Sequence, residues 1–236
     1  MARQDNPAEK IALPVEGLMQ AQEEAVKYAE EFANAPEGAA FWALTSNIAR
    51  TQEARFIFDM ELGVIAKRIG DAVIIDLEGN MPDESVSERI KDAGNKKIIL
   101  INGPVHPGLG MHKYDLDEWA KAEKEFGSEE NLISNWQNNL EIARRIGVNY
   151  EDVKHGFEDL LEDIKRTSKD IFPGREVWVK GIGHSSEIEI GLAAYAGKSV
   201  GEILEKAGGS LIKTMESAHI MIKPDGETSV GYREEK

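Results

Sequence analysis

Short, predominantly apolar segments alternate with longer amphipathic ones in the first half of the chain, and this alternation constrains the fold more than any other feature. The apolar segments cover residues 39–44, 71–77 and 97–101, and helical patterns over 48–69 and 84–93 separate them. Strands that are apolar on both faces occur in parallel sheets whose two faces are covered by helices. The alternation therefore predicts right-handed strand–helix–strand units and a parallel sheet.

The last quarter of the chain contains a predicted fourth strand, a glycine-rich turn and a helix. The strand begins with the β-type run Val177–Val179, and Gly181 and Gly183 follow it. Glycine permits a tight turn and a close approach of the backbone to a ligand. Ser185 or Ser186 can cap the helix that follows. The free N–H groups at the start of such a helix favour an anion above the end of the strand.

Together these segments predict a three-layer, Rossmann-like α/β fold with a mainly parallel sheet, in a single domain that spans residues 1–236. The four parallel strands are expected near residues 40–45, 72–77, 97–101 and 176–180. A C-terminal β-hairpin is predicted as well, because Pro224 presets a turn and Gly226 can take its left-handed position.

A helical insertion is predicted at residues 115–172, with helices over 116–126, 129–146 and 150–171. The middle helix carries Ile133, Trp136 and Leu140 on an apolar face that needs a partner. Two interpretations remain open. This face contributes to a homodimer, or it packs on the sheet of its own chain.

Composition and charge argue against several classes of protein. The chain has 236 residues, no cysteine and a formal net charge of −15. The absence of cysteine excludes disulfides, thiolate metal sites and cysteine nucleophiles, and the acidic charge disfavours nucleic acid as a partner. The chain has no apolar run near the roughly 18 residues of a membrane span and no signal-peptide pattern. We therefore predict a soluble, cytoplasmic protein with no membrane partner.

Polar or glycine-rich segments follow all four predicted strands. Ligands of open parallel sheets bind outside the carboxyl ends of the strands, so these segments are candidates for a binding site. Each also has a structural interpretation, because Ser, Asn and Gly at strand ends often form caps and turns. The candidate ligand-binding residues are Thr45, Ser46, Asn47, Asp76, Glu78, Asn80, Asn102, Lys180, Gly181, Gly183, Ser185 and Ser186.

Three histidines are the candidate catalytic residues, namely His106, His112 and His184. Imidazole titrates near neutral pH and is a common metal ligand. The spacing of six residues between His106 and His112 matches no established metal signature, so we predict hydrogen bonding or proton transfer and no metal.

Two common nucleotide-binding motifs are absent from their expected places. The Gly-x-Gly-x-x-Gly fingerprint does not follow the first strand, and the Walker pattern does not occur in the chain. Asp76 and Glu78 nevertheless end the second strand, where an acidic group can bind a ribose hydroxyl. An adenosyl or nucleotide cofactor therefore remains open, and the sequence does not identify one.

The segment Gly181-Ile182-Gly183-His184-Ser185 resembles the strand–Gly-x-Gly-x-Ser–helix turn of phosphosugar-binding (sugar isomerase) domains. The resemblance covers about fifteen residues. It is an analogy of mechanism and does not assign the chain to that family. In that family the serine and the start of the helix hold a sugar phosphate, so the resemblance implies a phosphate at this turn.

Three functions follow as alternatives. The first is an enzyme, a transferase or an isomerase or lyase, that acts on a phosphorylated or nucleotide-like small metabolite at the carboxyl ends of the strands. Its anion would lie on the turn 181–186, with the loop 106–112 closing over it. The second is an S-adenosylmethionine-dependent, methyltransferase-like enzyme with the same crevice. The third is a non-catalytic assembly or regulatory subunit that uses the helical insertion.

Overall fold

The computed structural model describes residues 15–110, 114–137, 139–183, 185–206 and 218–231. Over these residues the chain forms a mixed α/β structure with one six-stranded sheet. The strands are β1 (Ala40–Thr45), β2 (Ala72–Asp76), β3 (Lys97–Ile101), β4 (Val177–Ile182), β5 (Ala218–Ile222) and β6 (Thr228–Gly231). The helices are α1 (Val15–Ala33), α2 (Ala49–Ile69), α3 (Glu84–Asp92), α4 (Leu116–Phe126), α5 (Glu129–Trp136), α6 (Leu140–Ile146), α7 (Tyr150–Ile171), α8 (Ser185–Ala196) and α9 (Val200–Lys206), and a 3₁₀ turn covers Pro107–Leu109.

The strands lie in the order β2-β3-β1-β4-β5-β6, which is unusual for a mainly parallel sheet. The first four in this order are mutually parallel, as the sequence predicts. β5 runs antiparallel to β4, and β6 runs antiparallel to β5. The parallel strands and the C-terminal hairpin are therefore confirmed.

The alternating side chains of β1 belong to two different apolar clusters. Phe41 and Ala43 pack with the buried residues of α1 and α2. Trp42 and Leu44 pack with α3, α7 and α8. Successive side chains of a strand point to opposite faces of the sheet, so helices cover both faces of the central strand. This arrangement explains why the sequence of β1 is apolar from Ala40 to Leu44.

The predicted helix over 129–146 is wrong, because the structure contains two helices there, α5 and α6. Asn139 begins the second helix, since its side-chain oxygen accepts hydrogen bonds from the N–H groups of Glu141 and Ile142, at 3.0 and 3.3 Å. Asparagine is a strong N-cap residue. The apolar pattern continues through the break because both helices bury residues in the same cluster.

The apolar face behind the dimer prediction is largely covered by the chain itself. Ile133 and Trp136 are buried in a cluster that includes residues of α8 and α9. Leu140, in contrast, is 71% exposed. The face therefore packs on neighbouring helices, and a homodimer through the insertion stays a prediction.

None of the helices in the described part of the chain is long and apolar enough to cross a membrane.

Candidate functional site

The ends of β1, β3 and β4 are joined by backbone hydrogen bonds. The N–H group of Thr45 donates to the carbonyl of Pro104 at 3.1 Å, and the N–H group of Ser46 donates to the carbonyl of Ile182 at 3.1 Å. The N–H group of His106 donates in turn to the carbonyl of Thr45 at 2.8 Å. The segments that the sequence marks as candidates after these three strands are therefore adjacent.

Both ring nitrogens of His106 are occupied by contacts within the chain. Its Nδ1 accepts a hydrogen bond from the N–H group of Gly108 at 3.0 Å, so the proton of the neutral ring lies on Nε2. Nε2 lies 3.3 Å from Oδ2 of Asp163. His106 is buried and caps the 3₁₀ turn, so it has a structural role, and its catalytic role stays a prediction.

The ends of β2 and β3 form a second group of candidate residues. Asp76 accepts hydrogen bonds at both carboxylate oxygens, from the N–H group of Glu78 at 2.8 Å and from the side-chain amide of Asn102 at 3.0 Å. Glu78 and Asn102 have φ angles of 51° and 52°. Such angles are uncommon outside glycine. The side-chain amide of Asn80 closes the same turn on the carbonyl of Leu77.

Sequence analysis missed a buried ion pair beneath this group. Asp59 accepts a hydrogen bond from the N–H group of Asn102 at 2.9 Å, and its Oδ2 lies 3.7 Å from Nε of Arg55. Arg55 also donates to the carbonyl of Gly103. Burial raises the pKa of Asp59 to about 6, although Asn102 and Arg55 both oppose the shift. The spacing of four residues between Arg55 and Asp59 on a helix was the available signal.

The start of α2 lies next to the end of β1. Oγ of Ser46 accepts a hydrogen bond from the N–H group of Ile48 at 3.3 Å and lies 2.9 Å from the hydroxyl of Thr51. The N-cap residue is Ile48, whose side chain makes no cap hydrogen bond, and the first turn of α2 contains no acidic residue. Asn47 and Arg50 are exposed at this end of the helix.

The start of α8 carries buried polar groups. Oε1 of Glu187 accepts a hydrogen bond from the hydroxyl of Tyr114 at 2.8 Å, and Tyr114 also bonds to the side chain of Ser186. Glu187 is 1% exposed, and the neighbouring Glu189 is fully buried. Burial, together with the charge of Glu187, raises the pKa of Tyr114. Neither Tyr114 nor Glu187 was among the predicted site residues.

Gly183 makes a close backbone contact, and the contact is with the chain itself. A Cβ atom at this position would lie 2.7 Å from the carbonyl oxygen of Leu109. The φ angle of Gly183 is not positive. The glycine therefore allows the 3₁₀ turn to pack against the end of β4.

Lys180 and Gly181 lie inside β4 and not in the turn that follows it. Lys180 is fully buried, and its Nζ lies 4.7 Å from the centre of the Tyr28 ring, beneath α1 and α2. Its side chain therefore does not reach the ends of the strands. Ser185 is the first residue of α8. His112 and His184 lie outside the described residues.

Comparison with protein-family models, with curated proteins and with solved structures finds no match. No relative therefore assigns a role to any of these residues. Among the described residues, no group of three or more His, Asp or Glu side chains is arranged to hold a metal ion.

The helices that follow β1 and β4 leave the sheet on opposite faces. α2 packs with α1 on one face, and α8 packs with α3 and α7 on the other. β1 and β4 are neighbours in the sheet. We call the region at their carboxyl ends, which contains Thr45, Ser46, Gly183 and Ser186, the β1–β4 crevice. Thr45, Ser46 and Ser186 are buried there. In open α/β sheets, ligands bind in a crevice of this kind, where the direction of the connections reverses.

Proposed function

We propose that this protein is an enzyme that acts on a phosphorylated or nucleotide-like small metabolite, bound in the β1–β4 crevice of a Rossmann-like, three-layer fold. The divergence of α2 and α8 from neighbouring parallel strands is the observation that carries the proposal. It brings the starts of two helices to the same edge of the sheet, and helix starts present free N–H groups.

The start of α2 is the proposed anion-binding wall of the crevice. It has no acidic residue in its first turn and exposes Arg50. A helix start contributes about 0.3–1 kcal/mol to the binding of an exposed anion, and more when the site is partly buried. The start of α8 is less suited to the anion, because it holds the buried carboxylate of Glu187. We therefore place the anion nearer to Ser46 and Arg50 than to the turn at Gly183.

The wall formed by α8 is the proposed acid–base side. Glu187 is held in place by the hydroxyl of Tyr114, and positioned carboxylates are common general acids and bases. His184 immediately precedes α8 in the sequence and stays the predicted proton-transfer residue of this segment. A transferase or an isomerase or lyase fits such an arrangement, and a cytoplasmic location stays a prediction.

The adenosyl alternative uses the second group of residues, at the ends of β2 and β3. Both oxygens of Asp76 are already engaged within the chain, so a ribose hydroxyl would be bound by the exposed Glu78. The assembly alternative is weakened by the burial of Ile133 and Trp136. We therefore rank a phosphorylated metabolite first and an adenosyl cofactor second.

Titration calorimetry with ribose 5-phosphate and with S-adenosylmethionine tests the proposal. In the Arg50→Gln variant we expect ribose 5-phosphate to bind about tenfold more weakly, which corresponds to about 1.4 kcal/mol. Arg68→Gln is the matched control, because Arg68 is exposed at the opposite end of the same helix. Equal losses in both variants would refute the anion site. Binding of S-adenosylmethionine alone, sensitive to Glu78→Gln, would favour the adenosyl alternative.

A further inference from the structure

A cleft lies at the end of the sheet opposite to the β1–β4 crevice. Its volume is about 450 Å³, and it lies between the last turns of α7, the segment 172–175 and the turn that joins β5 to β6. Residues 172–175 lead into β4, and Ile222, at the end of β5, pairs with Val177, at the start of β4. The cleft is thus at the amino end of β4, whereas the crevice is at its carboxyl end.

The lining of this cleft is cationic, although the chain carries a net charge of −15. Four cationic residues and one carboxylate, that of Asp225, contribute to it. The cationic residues are Lys165, Lys169, Arg175 and Lys223. An excess of positive charge in a concave surface concentrates anions there.

Two of the cationic residues form ion pairs, and Lys223 also lies near the carboxylates of Asp225 and Glu176. Lys165 pairs with Glu162 at 2.9 Å, and Lys223 pairs with Glu227 at 2.6 Å. Both carboxylates are mostly exposed, and neither lines the cleft. Exposed pairs of this kind exchange partners at little cost in free energy. Lys169 has no ion-pair partner among the described residues, so its charge is available to a ligand.

Arg175 connects three backbone segments next to the cleft. Its guanidinium group donates to the carbonyls of Gly38, Ile90 and Gly94, at 2.7, 3.1 and 2.6 Å. All three acceptors are neutral, so the positive charge of Arg175 is not cancelled. The wall beside it contains Ser168, which is buried and whose Oγ has no hydrogen-bond partner in the described part of the chain.

The remaining wall of the cleft is predominantly apolar. Pro173, Ile222 and Pro224 contribute to it. Small-molecule sites of about 300–1,000 Å³ typically combine such a wall with a few polar groups that orient the ligand. An inorganic anion would leave the apolar wall in contact with water, and a neutral apolar ligand would leave the lysines without a counter-charge.

We propose that this cleft binds a mononucleotide-sized organic anion, with its ring against Pro173 and Pro224 and its phosphate beside Lys169 and Lys223. The site is separate from the β1–β4 crevice, and its ligand does not depend on the function proposed for the crevice.

Titration calorimetry with adenosine 5′-monophosphate tests this proposal, carried out in the Arg50→Gln background so that any binding in the crevice is weakened relative to binding in the cleft. We expect binding at one site per chain, and at least tenfold weaker binding of adenosine and of inorganic phosphate. We also expect Lys169→Glu to weaken binding of the nucleotide at least tenfold, because it reverses the free charge beside the phosphate.

Lys67→Glu is the matched control. Lys67 is an exposed lysine in the last turn of α2, as Lys169 is in the last turn of α7, so both variants change the net charge and the end of a helix in the same way. We expect the control to change the dissociation constant less than twofold and both variants to keep the far-UV circular dichroism of the parent. Three results would overturn the proposal: no binding of the nucleotide at millimolar concentration, equal weakening by the two substitutions, or adenosine binding as tightly as the nucleotide.

Discussion

Nζ of Lys180 lies 4.1 Å from the centre of the Phe58 ring, in a space closed by α1 and α2. A second ring, that of Tyr28, lies 4.7 Å away. Nζ has no hydrogen-bond partner among the described residues. Burial lowers the pKa of Lys180 to about 7, although the carboxylates of Glu24 and Glu31 oppose the shift. The rings stabilise the ammonium form only in part.

This environment predicts that stability rises with pH above neutrality. Between about pH 7 and 10 the unfolded chain holds a proton on Lys180 that the folded chain has lost, so the free energy of unfolding increases with pH. Above about pH 10 the ionisation of Tyr28 in the unfolded chain reverses the trend, because burial raises the pKa of Tyr28 in the folded protein. We expect Lys180→Met to be more stable than the wild type at pH 7 by several kcal/mol, since one pKa unit corresponds to about 1.4 kcal/mol.

Urea denaturation at pH 7.0 and 9.5 measures this effect. The difference in stability between Lys180→Met and the wild type should shrink at the higher pH. The exposed Lys67→Met variant should follow the wild type at both values. Parallel profiles of all three proteins would show that Lys180 keeps an ordinary pKa in the fold.

Asp59 predicts a pH dependence in the acidic range. Its pKa is raised to about 6 in the folded protein, so between about pH 4 and 6 the folded chain holds the extra proton and stability falls as the pH rises. Asp59→Asn keeps an acceptor for the N–H group of Asn102 and cannot ionise. We expect the stability of the variant, relative to the wild type, to increase by about 1–3 kcal/mol from pH 4.5 to 7.5.

The exposed Asp92 provides the control for this experiment, because Asp92→Asn removes a carboxylate that is not buried. Guanidinium denaturation at the two pH values is the measurement. If Asp59→Asn gains no stability relative to Asp92→Asn on going to pH 7.5, the carboxyl of Asp59 is already ionised at pH 4.5.

His106 should act mainly through the 3₁₀ turn that it caps. His106→Ala removes the acceptor for the N–H group of Gly108 and should destabilise the protein by about 1–2 kcal/mol. His106→Asn should recover part of this loss, since an asparagine side chain can accept a hydrogen bond from the N–H group two residues further on. Equal denaturation midpoints for the alanine variant and the wild type would contradict the capping role.

Gly183→Ala and Gly63→Ala should have opposite effects on the melting temperature. A Cβ atom at Gly183 would meet the carbonyl of Leu109 at 2.7 Å, so we expect a destabilisation of about 1–3 kcal/mol. A Cβ atom at Gly63, inside α2, would meet nothing within 4 Å, so alanine should stabilise the helix by about 0.5–1 kcal/mol. If Gly183→Ala leaves the melting temperature unchanged, the 3₁₀ turn does not pack against the end of β4 in solution.

Local sequence patterns were sufficient to locate most of the elements. The runs that became β1 to β4 are apolar because each lies within a sheet, and this property is visible in a window of a few residues. The hairpin between β5 and β6 was equally visible, because Pro224 and Gly226 have local conformational preferences. The same kind of reasoning failed at Asn139, where a cap interrupts an apolar pattern that continues on both sides of it.

The candidate site could be located only in part. Polar segments after β1, β3 and β4 were recognised, and the structure brings them together because parallel strands end at one edge of the sheet. The buried partners were not recognised, since the contact between Asp59 and Asn102 joins residues 43 positions apart. From the sequence alone, a carboxylate on a helix cannot be distinguished from a solvent-exposed one. Its burial becomes visible only when the strand that covers it is known.

Long-range contacts decided the rest. β1 pairs with β4, although six α-helices, a 3₁₀ turn and two strands separate them in the sequence. Matching apolar faces, and not proximity along the chain, select the neighbour. That pairing placed the carboxyl ends of β1 and β4 side by side, and Lys180 of β4 lies against Tyr28 and Phe58 and not at those ends. The cleft beside Lys169 likewise exists only where α7 meets the β5–β6 turn. Side-chain direction in a strand alternates strictly, so the role of each residue followed from the position of its strand in the sheet.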